Sequence, residues 1–258
     1  PKEPCFFVDR DELLRRWPAM ARNPVSHDLD AYLAMFRSDE DALWRFDGSV
    51  YYAQRPHIAG VPERIAAASP DARIVYLVRD PVVRTISHYW QRFRELQEDR
   101  PIDEAIGPGS IYTDTSDYVM QLDAYRERFS HVKVIASEDL RNRREEVMND
   151  LFAWLGLDPL PIDGVLAEER HRTAELTRVP RFGFARQVRD SGAWQAVRSV
   201  MPKPALELAR RLAVRRVPRS SFDETATRAR LREHFRALGP ALDERVGRPI
   251  SAGWASFR

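Results

Sequence analysis

Apolar and polar positions change period several times along this chain, and the change is sharpest between Asp71 and Glu95. Ile74, Val75, Tyr76, Leu77 and Val78 form a short β-branched and apolar run after the turn residues Pro70 and Asp71, which predicts a buried central strand. Arg79 closes it. Asp80 then stands at an N-cap position and Pro81 at the first helical one, while Val82/Val83, Ile86, Tyr89/Trp90 and Phe93 recur at helical spacing. A helix is predicted to follow the strand without a loop.

The same reading extends outward from this unit. Asp9 and Glu12 make a capping box for a helix at Leu13 and Leu14, and Asp28 caps an amphipathic helix with Leu29, Tyr32/Leu33 and Phe36 on one face. Ala42 to Phe46 is predicted as a strand, and the run from Gly60 to Ser69 as the helix crossing back to the strand at Arg73, giving a βαβ unit. Gln97 to Thr115 is charged and carries Gly107-Pro108-Gly109, so it reads as a mobile loop with at most a short helix. Beyond it come a helix with Tyr118, Leu122, Tyr125 and Phe129 inward, a strand from His131 to Ala136, and a helix from Arg144 to Leu155 stopped by Gly156. Lys203 to Val214 and Asp223 to Val246 read as arginine-rich amphipathic helices, the second broken at Gly239-Pro240.

Composition narrows the class. A chain of 258 residues with 43% hydrophobic content can bury one sizeable core, so one domain over 1–258 is expected. Against 39 acidic residues stand 41 basic ones, a net charge of +2, and no global field favours nucleic acid or an anionic membrane. Any anion site must be local. Lysine occurs only at Lys2, Lys133 and Lys203, a skew toward arginine that points to GC-rich bacterial coding. Cys5 stands alone, which fits a reducing cytoplasm, and no apolar run approaches the roughly 20 residues of a membrane span.

A strand that delivers an arginine at its carboxyl end, followed by a helix with free N–H groups, is suited to holding an anion. Ser87, eight positions after Arg79, adds a hydroxyl. The segment R-D-P-V-x-R-x-x-S-H-Y resembles the 3′-phosphate-binding segment of sulfotransferases that use 3′-phosphoadenosine 5′-phosphosulfate (PAPS). S-x-Y-x-x-x-L-x-x-Y-x-x-x-F, then a strand, E-D-L, a helix and F-x-W-L-G-L are similar to the core of the same family. Lys2-Glu3-Pro4-Cys5-Phe6-Phe7 resembles the K-E-P-H-F-F segment of its bacterial and heparan-sulfate-type members.

The resemblance implies an α/β fold, a three-layer open and mostly parallel sheet flanked by helices, and sulfuryl transfer from PAPS, with no metal. The acceptor would be a hydroxyl, or in second place an amine, of a carbohydrate, lipid or small natural product. It implies Arg79 and Ser87 as ligands of the donor's 3′-phosphate and Asp47, an acid at the end of the predicted strand, as general base. Lys2 would lie at the mouth of the site, and Arg178 and Arg181 in a late lid over the nucleotide. His57 and His88 are the other candidate bases, and Glu138 reads as structural. The family's glycine-bearing loop for the 5′-phosphosulfate has no counterpart: all 11 glycines fall from Gly48 onward, and no G-x-x-x-x-G-K-[ST] occurs. The expectation is therefore a chain whose first strand and phosphate loop lie upstream of residue 1. A non-catalytic anion- or nucleotide-binding module on the same fold is the alternative. A P-loop kinase ranks last, lacking that signature and evident Mg²⁺ carboxylates.

Overall fold

Two strands predicted far apart in sequence pair directly. β1 (Ile74–Val78) and β2 (Val132–Ala136) lie parallel, from Ile74 opposite Val132 to Val78 opposite Ala136. This is a computed structural model in which residues 3–37, 41–95, 97–159, 176–180, 214–218 and 222–258 are described. Helices α1 (Arg10–Arg16), α2 (Pro18–Ala21), α3 (Leu29–Ala34) and α4 (Val61–Ala68) precede β1; α5 (Pro81–Arg94), α6 (Ile102–Ala105), α7 (Ile111–Asp114) and α8 (Tyr118–Arg126) separate the strands. α9 (Ser137–Asn142), α10 (Arg144–Leu155), α11 (Thr225–His234) and α12 (Leu238–Val246) follow, with an antiparallel ribbon of β3 (Leu176–Pro180) and β4 (Val214–Pro218) between the last two pairs. The α/β reading holds. No helix among the described residues is long and apolar enough to cross a membrane.

The apolar side chains gather in two cores. In the larger one Tyr76, Val78, Val134 and Ala136 pack with Val82, Ile86, Tyr89, Trp90 and Phe93 of α5, with Tyr118 and Leu122 of α8, and with Leu231, Leu242 and Trp254 near the C-terminus. In the second Cys5, Val8, Leu13, Ile58, Val61 and Ile65 gather with Tyr125 and Phe129, against Ile74 and Val132 at the start of each strand. Burying side chains of this size contributes roughly 1.5–3 kcal/mol each, which opposes the conformational entropy of ordering the chain.

One buried carboxylate knots the carboxyl ends of the strands. Asp80, 3% exposed, accepts at Oδ1 from the N–H groups of Val82 and Val83, as an N-cap does, and at Oδ2 from the N–H of Ser256 in the C-terminal tail at 2.8 Å. Its own N–H donates to Glu138 Oε1 at 3.0 Å, at the start of α9. The tail approaches so closely that a Cβ on Gly253 would come within 2.9 Å of Glu138 Cβ. Glu138 is structural, as expected.

Three local expectations change. Residues 42–46 form no strand: nothing among the described residues pairs with them, Leu43 and Phe46 are exposed, and Trp44 instead turns its Nε1–H onto the Leu155 carbonyl at 2.9 Å. Arg73 lies over the rings of both Trp44 and Trp154, at 4.9 and 5.3 Å, and fastens the segment there. The helical region after Asp223 breaks at residues 235–237, ahead of Gly239-Pro240; those two residues occupy the first turn of α12, where a proline's missing N–H has no intrahelical partner to lose. The Lys203–Val214 helix lies outside the described residues except at Val214, which opens β4.

The third change concerns the connection after α5. Residues 97–115 pack through α6 and α7, with Ile102, Ala105, Ile106 and Tyr112 buried. Glu98 anchors it, accepting from Arg100 Nε and Nη2 at 3.0 and 2.7 Å, from the Arg100 N–H at 3.1 Å and from the Tyr112 hydroxyl at 2.8 Å. Burial pushes the Glu98 carboxyl up, but the bonds from Arg100 and Tyr112 together outweigh it and hold it at about 2. Because this folded-state value is depressed, its stabilisation is complete above the ordinary value of 4.5 and is lost as pH falls toward about 2. Urea midpoints measured between pH 5 and 2 are expected to fall less steeply for Glu98→Gln than for the parent; equal slopes would show that this carboxyl titrates normally.

Candidate functional site

Helix α8 builds the site with three buried polar side chains on one face. Asp117 caps the helix, its carboxylate accepting from the Met120 N–H at 3.0 Å, and the spacing 118, 121, 125 then turns Tyr118, Gln121 and Tyr125 the same way. The Tyr118 hydroxyl donates to the Arg79 carbonyl at 2.8 Å and accepts from the Arg79 N–H at 3.3 Å, fixing the end of β1. Gln121 grips residue 55 on both sides: its Oε1 accepts from the Arg55 N–H at 3.0 Å and its Nε2 donates to the Arg55 carbonyl at 2.7 Å. Tyr125 donates to the Tyr52 carbonyl at 2.8 Å. One helix thus sets the strand end and the whole 52–57 segment against each other.

Arg79 leaves β1 half-buried. Burial lowers its pKa, as do the nearby charges of Arg84 and Arg141, while Tyr118 and Glu138 work in the opposite direction. Arg84, one turn into α5, is oriented by Ser116 Oγ at 3.2 Å and stands 3.5 Å from His88 Nδ1. Among the described residues, neither Arg79 nor Arg84 forms an ion pair, and Glu138 is the carboxylate whose charge acts on Arg79. Ser87 is half-buried on α5, on the face that helical spacing gives to Arg84, His88 and Gln91. His88 is pushed well below its ordinary value by burial and by Arg84, Arg92 and Arg79, so it is neutral and packs its edge on Tyr112.

Asp47 sits at the centre of a second cluster. Its Oδ2 accepts from Tyr52 at 2.6 Å and Tyr32 at 3.2 Å, and its Oδ1 from the hydroxyl and N–H of Ser49 at 2.8 and 3.1 Å. Ser49 Oγ in turn accepts from the Cys5 N–H at 3.0 Å, and Glu3 Oε2 from the Val50 N–H at 2.8 Å. Burial and the charges of Glu3 and Asp47 push the Cys5 thiol up to about 12, leaving it inert. Both Asp47 oxygens are therefore occupied, which gives this residue the geometry of an anchor.

The third arrangement is a histidine–carboxylate pair. His57 Nε2 lies 2.8 Å from Asp114 Oδ2; since a carboxylate only accepts, Nε2 carries the proton and Nδ1 is left with a free lone pair in the neutral ring. The buried Gln121 amide joins the two segments that carry the pair, because besides gripping Arg55 its Nε2 donates to the Asp114 carbonyl at 3.1 Å. Sequence reasoning weighed His57 without its partner, which is 57 residues away. It also took Tyr118 and Tyr125 for core; the available signal was that a buried tyrosine hydroxyl needs a hydrogen-bond partner. Of the other predicted site residues, Lys2 and Arg181 lie outside the described residues, as does the side chain of Arg178. Among the described residues no three His, Cys, Asp or Glu side chains gather as metal ligands.

A family model described as the sulfotransferase family matches residues 6–161. No curated protein matches the chain. Among solved structures, a sulfotransferase from Alicyclobacillus acidocaldarius is similar over 98% of this chain and 86% of that one, with a TM-score of 0.62 at 22% sequence identity, a likeness of fold.

Removing the Asp47 carboxylate leaves four donors without their acceptor. Asp47→Ala is expected to lower stability by about 2–3 kcal/mol in urea unfolding, with Asp47→Asn intermediate because its amide oxygen still accepts. A variant as stable as the parent would remove the anchoring role.

Proposed function

Because a family model matches well over half of its length, the chain belongs to the sulfotransferase family, and we propose that it transfers the sulfuryl group of PAPS to a hydroxyl of a carbohydrate, lipid or small natural product. The observation that carries this reading is the half-buried Arg79 between the carboxyl end of β1, where open α/β sheets bind their ligands, and the N-terminus of α5. Arg79 and Ser87 would hold the 3′-phosphate of the donor, with Arg178 and Arg181 as lid residues and Lys2 near the mouth. The residues present fit the ribose phosphate; the 258 residues contain no glycine-bearing loop for the 5′-phosphosulfate.

In the transfer, a bond forms between the acceptor oxygen and sulfur, the bond from sulfur to the bridging oxygen of the 5′-phosphate breaks, and the acceptor proton needs a base. We assign that role to His57 in preference to Asp47. Its Nδ1 lone pair is free of partners among the described residues, while Asp114 holds the ring in one tautomer and stabilises the imidazolium that forms. Asp47, with both oxygens engaged, would position the segment that carries His57.

Turnover with PAPS and a panel of hydroxylated acceptors tests the assignment. Arg79→Ala is expected to raise the KM for PAPS at least tenfold, and His57→Gln to lower kcat by about 10² to 10⁴, with Asp114→Asn following in the same direction. Full activity of His57→Gln alongside an inactive Asp47→Asn would return the base to Asp47; nucleotide binding without turnover on any acceptor would assign a non-catalytic binding module.

A further inference from the structure

A pocket of about 150 Å³ lies where the connection from α6 to α7 meets α11. Its floor is apolar: Ile106 and Leu231 are buried there beside Thr113 and Thr227. The Thr113 hydroxyl is engaged with the loop, donating to the Gly107 carbonyl at 2.8 Å. On α11 the positions 227, 230, 231 and 234 fall along one stripe, so Arg230 and His234 bring nitrogen donors to the rim of that floor. Gly107 adds no side chain to the wall. Its φ lies outside the left-handed region and a Cβ there would meet nothing within 4 Å, so neither turn geometry nor crowding requires the glycine that leaves this space open.

Arg230 is tied down and only partly used. Its Nη2 donates to the Asp103 carbonyl at 2.9 Å, which fixes the guanidinium between α11 and α6, while Nε and Nη1 make no hydrogen bond among the described residues. The surrounding carboxylates are placed elsewhere. Glu224 pairs with Arg228 at 2.6 Å and Glu233 with Arg236, Glu104 is exposed, and Asp103 meets Arg230 through its carbonyl while its charge acts on Tyr89. His234 lies edge-on to Phe235 at 4.7 Å, has no carboxylate partner among the described residues, and carries a ring N–H whether neutral or protonated.

An apolar cavity of roughly 150 Å³ accommodates one benzene-sized ring. A ring alone would leave the guanidinium unmatched, and a small anion alone would leave the apolar floor in water. A planar carboxylate suits the guanidinium fork. We propose that this pocket binds a small aromatic monocarboxylate, with its ring on Ile106 and Leu231 and its carboxylate on Arg230, His234 beside it. The site is separate from the cleft described above: neither Arg79 nor His57 lines it. Thr113 precedes Asp114 on α7, but consecutive helical positions project about 100° apart, and the pocket opens beside the His57–Asp114 pair without including it. The inference therefore stands or falls apart from the PAPS reading.

Titration of the full chain with benzoate, followed by methyl NMR, tests it. Benzyl alcohol keeps the ring without the charge, and acetate keeps the charge without the ring. The parent protein is expected to bind benzoate saturably, with a dissociation constant on the order of 1 mM, and about tenfold tighter than either control, with the largest shifts at the Ile106 and Leu231 methyl groups. Arg230→Gln should weaken benzoate by about 5- to 20-fold and leave benzyl alcohol within about twofold. Arg79→Ala should leave benzoate binding unchanged, which separates this pocket from anion binding at the end of β1. Absence of saturable benzoate binding, acetate binding as tight as benzoate, shifts confined to other methyl groups, or a loss caused by Arg79→Ala and not by Arg230→Gln would each overturn the proposal. Unfolding midpoints of the variants identify any loss that comes from the fold, and the methyl shifts of the parent locate the ligand without any substitution.

Discussion

The site depends on a demand that tyrosine and glutamine make whenever they are buried: the apolar body favours the core, and the polar end must still find a partner. On α8 this demand is met three times along one face. Tyr118 takes both backbone groups of Arg79, Gln121 takes both backbone groups of Arg55, and Tyr125 takes the Tyr52 carbonyl. Apart from Tyr52, which lies in a 3₁₀ turn at Val50–Ala53, the groups they hold lie outside regular secondary structure. The bonds join a helix to a strand end and to an irregular segment, which are the parts of the chain that have no ladder of their own to define them. A Leu in place of Gln121 would keep the packing and lose the geometry.

Two carboxylates extend this control beyond α8. Asp80 ties the start of α5 to the C-terminal tail and, through Glu138, to the element after β2, so the carboxyl ends of both strands share one hydrogen-bonded knot. Asp47 does the same for the N-terminal side, collecting Tyr32 of α3, Tyr52 and Ser49, with Cys5 joined through Ser49. The strand end, the helix N-terminus and the 47–57 segment are therefore each held by groups from more than one part of the chain. Such over-determination fixes the backbone around the charged side chains.

Much of this was legible in the sequence because it is local. The apolar run at Ile74–Val78, the Asp80-Pro81 helix start and the Gly156 stop all follow from periodicity and capping, and all appear where expected; Gly156 takes the left-handed conformation with φ 73°. What local pattern could not give is pairing at a distance. Residues 42–46 have strand-like composition, but a strand exists only beside another, and there Trp44 is drawn to Leu155 and Arg73 instead. Gln97 to Thr115 looked loose because charge and glycine mark loops, while the Glu98–Arg100–Tyr112 contacts that pack it depend on how the chain folds back. His57 and Asp114 are each ordinary in sequence and become a pair through a glutamine that neither of them predicts.

The distribution of compensated and uncompensated charge carries the same lesson for function. Glu98 and Arg100 show what this fold does with a buried charge that has only a structural role: every carboxylate oxygen is matched, and the result is a strongly depressed carboxyl. Arg79 and Arg84 are treated the other way. The backbone and hydroxyl groups around them are instead spent on orientation. A guanidinium aimed by a buried hydroxyl and left without an ion pair among the described residues is suited to holding an anion.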